Sequence, residues 1–207
     1  GSARAYTPAN NRPVITHVPV EQWQRFGDGK ESFQVVNGRV SDEFPWVFTA
    51  SSYHTVNMDF RITSAITRLY EEGRGRSAAD PIVVLDWGCG EGTALTGLLD
   101  IVDILKRKGY PDLHIRPIGY SRDFYPSWGE VPASVDMIVD EAKYLAEDLE
   151  YLGVKHLDLV FSRLGFTHFL HENRNVALKH LEGLGRMLRP GGEIRVDVQE
   201  NISAGEY

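Results

Sequence analysis

The feature that most limits what this chain can fold into is Val83-Val84-Leu85-Asp86-Trp87-Gly88-Cys89-Gly90-Glu91-Gly92, an apolar run that breaks into alternating glycines. A short apolar run bounded by turn signals reads as a buried strand, and Ile82-Val83-Val84-Leu85 is assigned as one. The glycine turn then leads into a predicted helix over 93–108. Gly88 and Gly90 carry no β-carbon, so a ligand can lie directly against the backbone at the carboxyl end of the strand, where open α/β sheets bind their ligands.

Beyond Ala79, strand-like and helix-like runs alternate, the pattern of βαβ units and a parallel sheet. Strands are predicted at 114–119, 157–162 and 193–198, with a helix over 173–188 that stops before Pro190-Gly191-Gly192. Residues 133–152 are ambiguous. Val135, Ile138, Val139, Ala142, Leu145, Ala146, Leu149 and Leu152 fit a helical stripe, yet Val135 to Val139 also alternates as a strand.

Upstream of the glycine turn, residues 3–26 carry Pro8, Pro13 and Pro19 and read as an extended or irregular lead-in. Asn37-Gly38 predicts a small hairpin over 32–40. Met58, Ile62, Ala65, Ile66 and Leu69 line one face of a helix over 57–70, ended by Gly73 and Gly75. The chain therefore divides into an N-terminal extension, 1–79, and a core, 80–207.

With 207 residues there is room for one domain and a modest appendage. A net charge of -7 disfavours nucleic acid as a partner, because such binding rests on neutralising phosphates. The single cysteine, Cys89, excludes an internal disulfide and a multi-cysteine metal site. It suits a reducing compartment, so the cytoplasm is expected; no metal ligand is assigned. No apolar run is long enough to cross a bilayer, and no membrane partner is expected.

The turn does not fit the commoner glycine-loop cofactors. In G-x-G-x-x-G spacing the third glycine is replaced by Thr93, which disfavours a dinucleotide, and no Gly-Lys-Ser/Thr follows to cradle a phosphate. It resembles the D-x-G-x-G motif of class I S-adenosylmethionine-dependent methyltransferases, and the resemblance runs from about Ile82 to Val198. It implies a Rossmann-like α/β fold, a doubly wound and mainly parallel sheet with a small N-terminal extension. The cofactor implied is S-adenosyl-L-methionine.

In that family the residues matched by Asp86, Gly88, Cys89 and Gly90 wrap the methionine part of the cofactor. Ile118 to Asp123 is similar to the end of the second strand, where a carboxylate usually grips the ribose; here Ser121 takes that slot, and Asp123 is either its replacement or a solvated loop residue. Ile138 to Ala142 is similar to the third strand and its adenine-binding segment, with Glu141 and Ala142 in the last two positions, or is a plain surface turn. The resemblance thus resolves 133–152 as a short strand followed by a helix. Leu157 to Ser162 matches the fourth strand, with Ser162 at the cofactor, and Met187 to Ile194 matches the turn before the fifth.

Methyl transfer is an in-line displacement, so the protein chiefly aligns a nucleophile and excludes water. His168 is the candidate general base, against a packing role. Arg163 is a candidate partner for a substrate or cofactor carboxylate, against a surface ion pair. Trp46, Tyr53, Tyr125, Trp128 and Phe166 either rim the site or fill the core.

An Asn/Asp-Pro-Pro-Tyr/Phe segment for amino groups of adenine or glutamine is missing after the fourth strand. Cys89 is committed to the turn and unavailable as the nucleophile of a cytosine carbon-5 enzyme. The resemblance therefore implies methyl transfer to O or N of a small molecule, less readily to a protein side chain.

The competing expectation is a non-catalytic cofactor-binding or scaffold module, or a domain cut from a larger protein. The usual C-terminal antiparallel hairpin is not expected, since the pattern stops soon after the fifth core strand. An exposed sheet edge then calls for a homodimer or covering partner. The segment before Asp80 is expected to act as a lid over the site.

Overall fold

The computed structural model describes residues 1–7, 12–23, 62–162 and 165–196, without the side chains of Thr167 and His168. The hairpin expected over 32–40, Trp46, Tyr53 and Arg163 lie outside the described residues.

Seven strands form one sheet: β1 (Arg4–Tyr6), β2 (Val14–Thr16), β3 (Ile82–Trp87), β4 (Ile115–Ser121), β5 (Asp136–Val139), β6 (Leu157–Ser162) and β7 (Leu188–Val196). Their order across the sheet is β1-β2-β5-β4-β3-β6-β7. Every neighbouring pair is parallel except β1 with β2. Among the described residues there are five α-helices: α1 (Ile62–Glu71), α2 (Thr93–Arg107), α3 (Leu145–Tyr151), α4 (Gly165–Glu172) and α5 (Arg174–Met187). The result is an α/β fold with a mostly parallel sheet, compatible with a Rossmann-like arrangement.

Alternation along β3 assigns its side chains to two cores. Ile82 and Val84 join α1 and α2 on one face, with Ile66, Leu69, Leu95 and Leu98. Val83, Leu85 and Trp87 join α3, α4 and α5 on the other, with Leu145, Leu149, Phe166 and Ala177. Helices thus cover both faces, which is why β3 reads as a continuous apolar run rather than an alternating one. The helix expected over 57–70 is described from Ile62 on, with Ile62, Ala65, Ile66 and Leu69 buried. The ambiguous 133–152 segment is β5 followed, after a short 3-10 turn at Ala142–Tyr144, by α3.

Of the two readings of the lead-in over 3–26, the extended one holds at two places. Two three-residue strands within it extend the sheet, β2 pairing in parallel with β5 through Val14↔Met137 and Ile15↔Ile138. Arg12 fixes this addition from within: buried, it donates through Nη1 to Val135 O at 2.7 Å and through Nη2 to Pro132 O at 2.6 Å and to Val131 O. These carbonyls belong to an irregular connection; Pro132 O also accepts the Val135 N–H at 3.0 Å, and the guanidinium adds further donors.

At the amino end of β3 and β6, Asp158 ties strands to loops. Its carboxylate accepts from Arg74 Nη1 (2.9 Å), Arg189 Nε (2.8 Å), Arg189 Nη2 (2.6 Å) and the Val83 N–H (2.8 Å). Arg74, from the turn after α1, is therefore part of an ion network around a buried carboxylate. β7 bulges at Arg189 to Gly192, where the register with β6 shifts between Leu157 and Leu159.

Candidate functional site

Order along the sheet reverses beside β3: the chain moves to β4 and β5 on one side, then to β6 and β7 on the other. Ligands of open α/β sheets bind outside the carboxyl ends of the strands at such a reversal. The glycine turn stands there, with Gly88, Gly90 and Gly92 at φ 83°, 53° and 83°. These are left-handed values, favourable to glycine.

The turn is tied to β4. The N–H groups of Gly88 and Cys89 both donate to Tyr120 O at 2.8 Å. Gly119, next to Tyr120, is a glycine for a packing reason: a β-carbon there would stand 2.8 Å from Leu95 Cδ1 and 3.0 Å from both Cys89 Sγ and Met137 Sδ. The Trp128 indole donates to Gly90 O at 2.7 Å. Trp128 and Tyr125 are buried, with Phe124 edge-on to Trp128 and stacked on Trp23. These aromatics thus form a wall beside the turn that the N-terminal Trp23 joins.

Gly88 also has a packing task. A β-carbon on it would lie 2.9 Å from Gly165 Cα, at the start of α4. The absence of a side chain at this position thus serves a contact within the chain.

Asp86 continues the side of β3 that carries Ile82 and Val84. It is 1% exposed, and its Oδ1 has no hydrogen-bond partner. Burial pushes its carboxyl up to about 8. The neighbouring Cys89 thiol is held well above its usual range by burial and then by Asp86, so it is no nucleophile.

The other sequence-assigned residues surround this turn unevenly. Ser121 ends β4; it is buried, and its Oγ accepts the Asp123 N–H at 3.0 Å, bending the chain just past the strand. Asp123 is half-buried. Glu141 is exposed and pairs with Lys143 at 2.9 Å, while Ala142 starts the 3-10 turn and is half-buried.

Ser162 has a helix-capping task. Fully buried, its Oγ accepts the Phe166 N–H at 2.9 Å in the first turn of α4. Phe166 is core, packed edge-on to Trp87 at 6.0 Å. His168 falls within α4.

Sequence reasoning missed Asp140 and its surroundings. Its carboxylate is 1% exposed and bonds His17, 123 residues away, through both the backbone N–H (2.7 Å) and Nδ1 (2.8 Å). No local pattern joins residues so far apart. The one signal was Asp148, a charged residue on the apolar face of α3 between Leu145 and Leu149.

No protein-family model matches the chain, and no curated protein is significantly similar to it.

Proposed function

We propose that this chain binds S-adenosyl-L-methionine at the carboxyl ends of β3, β4 and β5 and transfers its methyl group to an O or N of a small molecule. The observation that carries the reading is Asp86, a buried carboxyl group with an unpartnered oxygen beside a turn of left-handed glycines. Leaving a buried acceptor unmade costs about 1–3 kcal/mol. A cationic donor such as the cofactor's ammonium removes that cost and favours the ionised carboxylate.

The residues present suit the group at this end. Asp86 and the turn through Gly90 would hold the methionine part, and the buried bend at Ser121 and Asp123 would stand toward the ribose. Gly88 and Ser162 act through the frame, one admitting α4 and the other capping it. When bound, the cofactor supplies an electrophilic methyl carbon on a sulfonium. The chain's own part is to hold the cation with Asp86 and to exclude water with the wall of Phe124, Tyr125 and Trp128.

Calorimetry with S-adenosylmethionine and its demethylated product tests this directly, with NAD as the negative control. Both should bind and raise the melting temperature by mass action. Because Asp86 must ionise to meet a cation, affinity should rise between pH 6 and 8, and Asp86→Asn should flatten that rise. Failure of both compounds to bind at millimolar concentration would overturn the proposal. Methyl transfer to candidate acceptors then separates an enzyme from a binding module.

A further inference from the structure

At the edge where β2 joins β5, their carboxyl ends bring together side chains that the proposed cofactor site does not use. His17 follows β2, Asp140 follows β5, and Asp148 comes from α3; they are 9%, 1% and 0% exposed. His17 Nδ1 lies 2.8 Å from Asp140 Oδ2 and 2.8 Å from Asp148 Oδ1. One ring nitrogen thus faces two carboxylates, and one N–H cannot serve both.

The hydrogen bond goes to Asp140. Asp148 Oδ1, although equally close to the nitrogen, receives none, and neither does Oδ2. Among the described residues no lysine or arginine pairs with Asp140 or Asp148. A fully buried carboxylate whose nearest counter-charge is an imidazole already bonded to a second carboxylate is costly, and this one is aimed at the other two groups. It needs a proton or a cation.

The arrangement around the ring distinguishes between these. One ligand atom from each of His17, Asp140 and Asp148 falls within 4.8 Å of the others. A metal bound at about 2.1 Å holds neighbouring ligand atoms about 3 to 3.5 Å apart, so both carboxylates would draw back slightly from their 2.8 Å distances to Nδ1. On the far side of the imidazole, Nε2 lies 3.0 Å from Glu147 Oε2. That is the carboxylate contact which fixes the tautomer of a metal-bound histidine, in which Nδ1 would coordinate the ion in place of its hydrogen bond to Asp140. Tyr144 stacks on the ring at 4.5 Å and 10° and sets its plane.

We propose that His17, Asp140 and Asp148 form a site for one divalent first-row transition metal ion, with Glu147 orienting the histidine. One imidazole and two carboxylates suit Zn2+ or Mn2+. The ion neutralises both buried carboxylates and clasps the N-terminal strand pair to β5 and α3. The proposal does not depend on the cofactor reading, and its test uses metal alone.

Chelator-treated protein is titrated with Zn2+ and, separately, Mn2+, following heat by calorimetry and the melting temperature by scanning. At least one ion should bind with one-to-one stoichiometry and raise the melting temperature. Asp148→Asn, close in shape, should weaken binding tenfold or more. Glu147 is exposed, so Glu147→Gln keeps the fold and should weaken binding about 10- to 100-fold through the histidine. Absence of saturable binding of either ion to the parent protein would mean that a shared proton fills the site and the proposal is wrong. Unchanged affinity in Glu147→Gln, or in a folded Asp148→Asn, overturns it equally.

Discussion

Gly88 and Gly165 meet so closely that a β-carbon on Gly88 would stand 2.9 Å from the α-carbon of Gly165. Backbone meets backbone there, so no side-chain rotation relieves the clash. If the turn holds the proposed cofactor, Gly88 and Gly90 should therefore respond differently to substitution. Gly88→Ala should cost about 1–3 kcal/mol through clash and left-handed strain, visible as a lower melting temperature. Gly90→Ala, at φ 53°, adopts a conformation that costs an alanine about 1–2 kcal/mol. It should lower cofactor affinity more than tenfold while still melting cooperatively. Calorimetry and thermal melts on both variants check the division, and equal loss of affinity from equally folded variants would erase it.

Asp86 makes stability depend on pH in an unusual direction for an acidic residue. Its folded value is raised to about 8, against roughly 4 in an unfolded chain. Between those values the folded state keeps a proton that the unfolded state has released, so its contribution to stability is full below about pH 4 and lost as pH rises through about 8. Asp86→Asn removes this slope without changing the shape. Urea unfolding at a series of pH values should find the variant more stable than the parent at pH 8.5, by about 1–3 kcal/mol. A parent whose stability rises from pH 5 to 8 as steeply as the variant's would contradict the burial of this group.

Removing residues 1–23 tests what the N-terminal strands do. β2 pairs with β5, Arg12 caps three carbonyls, and Trp23 stacks on Phe124 at 5.1 Å. Truncation uncovers a parallel edge and exposes those groups, and an open edge pairs with other chains. The shortened protein should aggregate at concentrations where the parent stays monodisperse by light scattering. A soluble remainder with weakened ligand binding alone would instead favour a lid.

What the sequence made legible follows the range over which its signals act. β6 is read residue for residue because Leu157 to Ser162 is buried on both faces and bounded by polar residues. β5 needed more than periodicity, since Val135 to Val139 serves both a strand and the helical stripe that continues through Leu145 and Leu149. Three-residue strands such as Arg4–Tyr6 and Val14–Thr16 are too short to show any period, and prolines around them argue for loop. Ser162 was legible by position, whereas the bond its hydroxyl accepts from the Phe166 N–H in α4 was not. The group around His17 was out of reach, because its members meet only once the sheet has formed.

The pairing of β2 with β5 also sets an order of events in a newly made chain. His17 leaves the ribosome long before Asp140, its partner 123 residues later. At about 5–20 residues per second, the wait is roughly 6 to 25 seconds. Throughout it, Val14 and Ile15 have no β5 to rest on. Holding an unpaired apolar strand that long exposes it to wrong partners, and loop-closure entropy makes so distant a contact slow even afterwards. The β2 segment, synthesised well before β5, is thus among the last to find its place, and a chaperone bound to it would shorten the danger.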